Sequence, residues 1–282
     1  MWSRARIYSL KVDDVRRFSL FETCGHFSSH NQTDTKWTTD EGKLKLHSRN
    51  ESALCMRRLR AQRPFTNIVL VGDSRTRQLR DGLIYQLTGT DRDWLANRSI
   101  QPSRNHRHER QVQLLSLFPE ATAVRLEYIY TFNTHQAVYN VKKYLKTDKS
   151  AGTPDLLLIG GSDWPVESFR PFKKMAQDSK ILTELLAILS DLAEQTLVVW
   201  TPQTPLSQAQ VARSKITNEE LTAHNAVVRS ALASRPSRIH YWESYLSTFR
   251  LSESLDGLHL GPVAKYFDVQ ILLNVLCGAQ NK

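Results

Sequence analysis

Asn67-Ile-Val-Leu-Val71, then Gly72-Asp73-Ser74-Arg75, then the stretch from Arg75 to Leu87 decide how this chain folds. The first run is short, apolar and β-branched, without polar alternation, which is the pattern of a strand buried on both faces. It stops at a glycine. Beyond it Leu79, Leu83 and Leu87 stand at i, i+4 and i+8, one apolar face of a helix. A buried strand that passes directly into an amphipathic helix is the opening half of a βαβ unit.

The same grammar repeats outward. Val124 to Tyr130 is strand-like, and Asp155-Leu-Leu-Leu-Ile159 is a second buried run that ends at Gly160-Gly161. Leu182, Leu185, Leu186, Leu189 and Leu192 form a helical stripe that hands over to Leu197-Val-Val-Trp200. Thr217-Asn-Glu-Glu220 is a capping box that opens another helix. Ile239 to Trp242 reads as a strand, and Gly261-Pro262 starts a final helix. Short apolar strands alternating with amphipathic helices predict an α/β fold of three layers, a parallel sheet with helices on both faces. Residues 1–63 lack a sustained period and read as an irregular lead-in with short elements. Residues 64–282 read as the ordered part of a single domain.

Composition narrows the function. The chain has 282 residues, 38 Lys+Arg against 28 Asp+Glu, and 11 Gly and 10 Pro, which excludes collagen-like, disordered and disulfide-scaffold classes. Its longest apolar stretch, Ile181 to Trp200, is interrupted by Glu184, Asp191 and Glu194, so no membrane span is expected. The first twenty residues carry charges throughout and show no apolar core of an export signal. Residues 1–110 hold 21 Lys or Arg against 12 Asp or Glu, so the basicity is local and attracts anionic ligands. No zinc-finger spacing, RNP hexamer or basic zipper accompanies it, and nucleic acid is not an expected partner. The three cysteines, Cys24, Cys55 and Cys277, include no C-x-x-C, and His106 and His108 sit in an Arg-rich loop pattern, so no metal is expected. Asn31, Asn50 and Asn97 each begin an N-x-S/T sequon and are glycosylation candidates.

In an open parallel sheet the loops at the carboxyl ends of strands build the binding crevice. Three segments occupy such places. Ser74 lies at a helix start, where free backbone N–H groups and the dipole favour developing negative charge, so it suits a nucleophile whose own N–H helps hold an oxyanion. The competing reading is an ordinary Asp or Ser cap. Asp256-Gly-Leu-His259, just before the last helix, supplies a base and the carboxylate that fixes its tautomer. Gly160 and Gly161 allow close approach of backbone and offer a second oxyanion donor, with Trp164 as a pocket wall; a plain turn is the alternative. The GxGxxG and GxxxxGK[ST] signatures of phosphate-binding loops are absent.

Gly-Asp-Ser after the first strand and Asp-x-x-His before the last helix resemble the SGNH/GDSL hydrolase superfamily. Ile68-Val-Leu-Val-Gly-Asp-Ser-Arg-Thr-Arg-Gln-Leu79, Pro154 to Trp164, Ile216 to Glu220, Glu253-Ser-Leu-Asp-Gly-Leu-His-Leu260 and Ile271-Leu-Leu-Asn-Val-Leu-Cys277 resemble, more closely, the lumenal PC-esterase-type domain of the N-acetylneuraminate (sialate) 9-O-acetyltransferase family. That resemblance implies Ser74 as nucleophile, His259 as general base and Asp256 as its orienting partner. It implies no bound cofactor; acetyl-CoA is the acetyl donor and sialic acid or CMP-sialic acid the acceptor, in the Golgi lumen. Arg75 and Arg77 are candidates for holding these anions. A carbohydrate O-acetylesterase and a non-catalytic glycan-binding relative are the alternative functions. The resemblance also implies a disulfide between Cys24 and Cys55. The family's multi-span membrane region and N-terminal anchor have no counterpart in these residues.

Overall fold

A computed structural model describes residues 26–28, 36–39, 42–60, 66–91, 111–117, 122–131, 133–145, 153–160, 175–214, 216–234, 238–243, 245–246 and 256–277. In chain order the elements are β1 (His26–Ser28), β2 (Lys36–Thr39), β3 (Gly42–Lys43), α1 (Arg49–Arg60), β4 (Thr66–Gly72), α2 (Ser74–Thr88), β5 (Gln111–Leu117), β6 (Thr122–Tyr130), α3 (Thr134–Leu145), β7 (Leu156–Gly160), α4 (Met175–Ala193), β8 (Leu197–Thr201), α5 (Gln208–Ser214), α6 (Asn218–Ala233), β9 (Ile239–Tyr241) and α7 (Pro262–Cys277).

β1, β2 and β3 pair antiparallel in a small sheet of their own. The main sheet runs in the order β5-β6-β4-β7-β8-β9. Its strands from β6 to β9 are parallel, and β5 is added antiparallel at the β6 edge. The chain goes from β4 to one side, β6, then returns across β4 to β7 on the other. Such a reversal opens a crevice at the carboxyl ends of the two strands that flank it, here β4 and β7.

Side-chain alternation splits the core into two layers. Ile68 and Leu70 face Met56 of α1, Leu79 and Leu83 of α2, and Phe267 and Leu272 of α7. Val69 and Val71 face Val141 of α3, Leu185 and Leu189 of α4, and Val228 of α6. Both faces of β4 are therefore covered, and all seven of its residues are buried. This is the three-layer α/β arrangement that the apolar runs predict, with the antiparallel β5 as the added feature.

Helix ends follow local chemistry. Asp73 caps α2 by accepting the Arg75 N–H at 2.9 Å, and Gly89, at φ 77°, closes it in the left-handed region. The capping box at α6 forms as read: Thr217 and Glu220 exchange side-chain and backbone bonds at 3.2 and 2.7 Å.

The described part of the lead-in includes a helix. Within residues 1–63, α1 is a 12-residue helix that buries Ala53, Cys55 and Met56. Ser48 and Glu51 exchange the reciprocal bonds of a capping box at its start. Cys55 is disulfide-bonded to Cys277 at the end of α7. The expected pairing of Cys24 with Cys55 is thereby overturned: α1 packs beside α7, which puts Cys277 and not Cys24 against Cys55. Cys24 itself lies outside the described residues.

Candidate active site

β4 delivers Gly72, Asp73 and Ser74 to the crevice. Gly72 pairs with Gly160 across the β4–β7 boundary. A Cβ at Gly72 would lie 2.2 Å from Thr76 Oγ1 and 2.5 Å from the Gly160 carbonyl, so only glycine fits where the two strand ends meet. Thr76 Oγ1 donates to that carbonyl at 3.0 Å and ties the first turn of α2 to the end of β7. From β6 the buried Tyr128 hydroxyl donates to the Asp73 carbonyl at 2.8 Å. The turn that carries Ser74 is thus held from both neighbouring strands.

The loop before α7 brings Asp256 and His259. Gly257 has φ 77°, a conformation that lets Asp256 fold back over the residues that follow it. Asp256 Oδ1 accepts the backbone N–H groups of Leu258 and His259 at 3.0 and 2.9 Å. Its Oδ2 lies 2.6 Å from His259 Nδ1, and His259 Nε2 lies 2.7 Å from Ser74 Oγ. An ionised carboxylate only accepts, so Nδ1 carries the proton and donates to Asp256. The unprotonated Nε2 then accepts from the Ser74 hydroxyl. Ser74, His259 and Asp256 form one continuous hydrogen-bonded chain.

The electrostatics favour that proton order. Burial is the largest influence on His259 and pushes its pKa below 6.5; the Arg75 and Arg77 cations push the same way, against the pull of Asp256. The imidazole is neutral at pH 7 and available as a base. For Asp256 burial acts upward, but the hydrogen bonds from the His259 backbone and ring outweigh it and hold the carboxyl below its ordinary 3.8.

The other anticipated residues fall in different places. Arg75 is fully buried; its Nε donates to the Leu258 carbonyl at 2.8 Å and its Nη1 to the Thr204 carbonyl at 3.4 Å. The expectation of Arg75 as an anion holder therefore gives way to a role in fastening the His259 loop, because its guanidinium faces backbone carbonyls in the interior. Arg77 is buried close enough to lower the His259 pKa. Gly160 stands at the end of β7, at φ 118°, where a Cβ would meet the Thr201 carbonyl at 2.3 Å. Gly161, Trp164, Asn31 and Asn97 lie outside the described residues. Asn50 is exposed on the first turn of α1, while Ser52 of its sequon is buried with its hydroxyl bonded to the Ser48 carbonyl at 2.8 Å. Tyr128 and Thr76 escape sequence reading because their roles come from strand register and close packing, which leave no local motif.

Among the described residues, two cavities lie toward the carboxyl ends of the strands. One of about 30 Å³ is bordered by Thr131, Gly160, Trp200, Gln203 and His224. A larger one of about 470 Å³ runs along α6, bordered by Gln203, Asn225, Arg229, Tyr241 and Glu243, and includes none of Ser74, Asp256 and His259. The hydrogen-bonded chain, with chemistry that a cavity alone lacks, is the candidate reactive centre. Among the described residues no three or more His, Cys, Asp or Glu converge to hold a metal ion, and no helix is long and apolar enough to cross a membrane.

No model of a known protein family matches the chain. It is similar to the N-acetylneuraminate (7)9-O-acetyltransferase of Danio rerio, 25% identical over 270 residues, which covers 93% of this chain and 32% of that protein. The chain spans about a third of the length of that curated relative.

Proposed function

We propose that this chain is a carbohydrate O-acetyltransferase that works through an acetyl-serine at Ser74. The observation that carries the reading is the unbroken chain from Ser74 Oγ through His259 to Asp256, at 2.7 and 2.6 Å. The similarity to a sialate O-acetyltransferase supplies the direction of transfer.

The chemistry divides into two halves. Ser74 Oγ attacks the acetyl carbonyl of acetyl-CoA while His259 Nε2 takes the hydroxyl proton. The tetrahedral oxyanion sits at the α2 N-terminus, where the Ser74 N–H and the helix dipole stabilise it. The C–S bond breaks, and His259 returns the proton to the departing thiolate. His259 then removes a proton from a sugar hydroxyl, whose oxygen attacks acetyl-Ser74; the Ser74 Oγ–acyl bond breaks and Ser74 is reprotonated. Throughout, Asp256 keeps the Nδ1 proton in place and stabilises the transient imidazolium.

The acceptor in this reading is sialic acid or CMP-sialic acid. The basic residues of the first 110, Arg77 among them, attract that anion and the phosphates of CoA. The Cys55–Cys277 disulfide supports an oxidising compartment such as the Golgi lumen.

The test is to incubate the protein with acetyl-CoA, quench, and read its intact mass beside Ser74→Ala. One acetyl group on Ser74, discharged on addition of sialic acid or CMP-sialic acid, supports the transferase. Free acetate from simple esters, with no effect of either sugar, favours the esterase. Glycan binding that survives in Ser74→Ala, with no turnover in the wild type, would replace both with a binding module.

A further inference from the structure

Gln78 lies on α2, one turn beyond Ser74 on the same helical face. It is 1% exposed, and it bonds the backbone of a single residue twice. Its Nε2 donates to the Leu260 carbonyl at 3.2 Å, and its Oε1 accepts the Leu260 N–H at 2.7 Å. Arg75, on the same turn, donates to the Leu258 carbonyl at 2.8 Å. His259 is therefore bracketed: the residue before it and the residue after it are both fastened to the helix whose first residue is the nucleophile.

The amide is matched to this task. Leu260 presents a donor and an acceptor together, so its partner must accept and donate at one planar group. A Glu carboxylate meets only the N–H, and Met meets neither. The loop and α2 are 182 residues apart in sequence at this contact, yet Ser74 and His259 must meet within hydrogen-bond reach. Pinning the loop to the nucleophile's own helix makes that meeting a property of one rigid element.

We infer that Gln78 is a positioning residue for acyl transfer, holding His259 at the distance and angle from which Nε2 takes the Ser74 proton. The inference rests on the Ser74–His259 reading above and adds to it the residue that sets their geometry.

The fold contains its own control. Gln270 of α7, also buried, makes the same pair of bonds to the backbone of His47: 2.7 Å from the His47 N–H to Oε1 and 3.2 Å from Nε2 to the His47 carbonyl. That backbone takes no part in the triad.

Gln78→Met and Gln270→Met are compared for thermal midpoint, for kcat and KM on p-nitrophenyl acetate, and for the pH profile. Both variants are expected to lose thermal stability to a similar degree. Gln78→Met is expected to lose kcat by roughly 10–100-fold at unchanged KM, the scale of a misplaced reacting group, with a shifted lower pH limb. Gln270→Met is expected to keep kcat and the profile. Gln78→Glu, which retains the acceptor for Leu260, should recover part of the rate, and it carries the comparison if Gln78→Met does not fold. Equal kcat losses in the two Met variants, or an unaltered kcat in Gln78→Met, would overturn the inference.

Should the wild type show no Ser74-dependent turnover, the functional reading fails, and hydrogen exchange tests Gln78 separately. Gln78→Met should then speed exchange over residues 258–260 by about tenfold or more and move the His259 titration seen by NMR. Unchanged exchange and titration would reject the positioning role.

Discussion

The Asp256 carboxylate holds His259 twice: one oxygen meets ring Nδ1 at 2.6 Å and the other accepts the same residue's backbone N–H at 2.9 Å. Orientation of the ring and shape of the loop are set by one side chain.

Asp256→Asn separates these duties. The amide oxygen can still accept the backbone N–H groups, but an NH₂ now faces Nδ1, which becomes an acceptor and moves the ring proton to Nε2. A protonated Nε2 cannot accept from Ser74. The expected loss in kcat is about 10⁴-fold, smaller than the roughly 10⁶-fold expected for Ser74→Ala or His259→Ala. Steady-state kinetics with circular dichroism on all three variants measures this, and similar activity in Ser74→Ala would sink the mechanism.

The pH profile should have an acidic limb. Neutral His259 is the active form, and burial places its folded pKa below 6.5. Activity should be at its plateau at pH 7 and fall as pH drops through that lowered value. A limb centred above 6.5 would contradict the assignment.

A second histidine should govern acid stability. Burial lowers the His224 pKa from 6.5 to about 4. Between those values the unfolded chain takes up a proton that the folded chain refuses, so stability is full above pH 6.5 and falls as pH decreases toward 4. The loss attributable to this group reaches about 3 kcal/mol. Denaturant unfolding across that range should show the slope, and His224→Leu should flatten it.

Opening the disulfide should weaken the whole domain. Cys277→Ser releases a loop of 222 residues, for which a cost of roughly 2–5 kcal/mol is expected. Thermal midpoints with and without dithiothreitol should differ in the wild type and coincide in the variant. Non-reducing peptide mapping should recover Cys55 joined to Cys277.

The sheet and the triad were legible because their signals are local. Apolar runs ending in glycine mark β4 and β7, and Gly-Asp-Ser and Asp-x-x-His each sit where a strand or loop meets a helix. What escaped depends on distant partners. The end of α1 was hidden by its arginines, although Ser48 and Glu51 spell a capping box that could have revealed its start. Arg75 read as a candidate anion holder because sequence cannot show that it donates to the carbonyls of Leu258 and Thr204. The cysteine pairing was missed for the same reason: spacing does not single out Cys277 until helix packing brings α1 beside α7. β5 and α3 carry weaker patterns and emerge only once a sheet exists to receive them.

Ser74, Asp256 and His259 all lie inside the covalent ring closed by Cys55 and Cys277. A protease that cuts one peptide bond within that ring nicks the chain without parting its fragments. Such a cut at a surface site would pass unnoticed on a non-reducing gel and leave nucleophile and base tethered to each other. Two fragments would separate on a denaturing gel only when a thiol is added, so running reduced beside non-reduced samples would expose earlier cleavage.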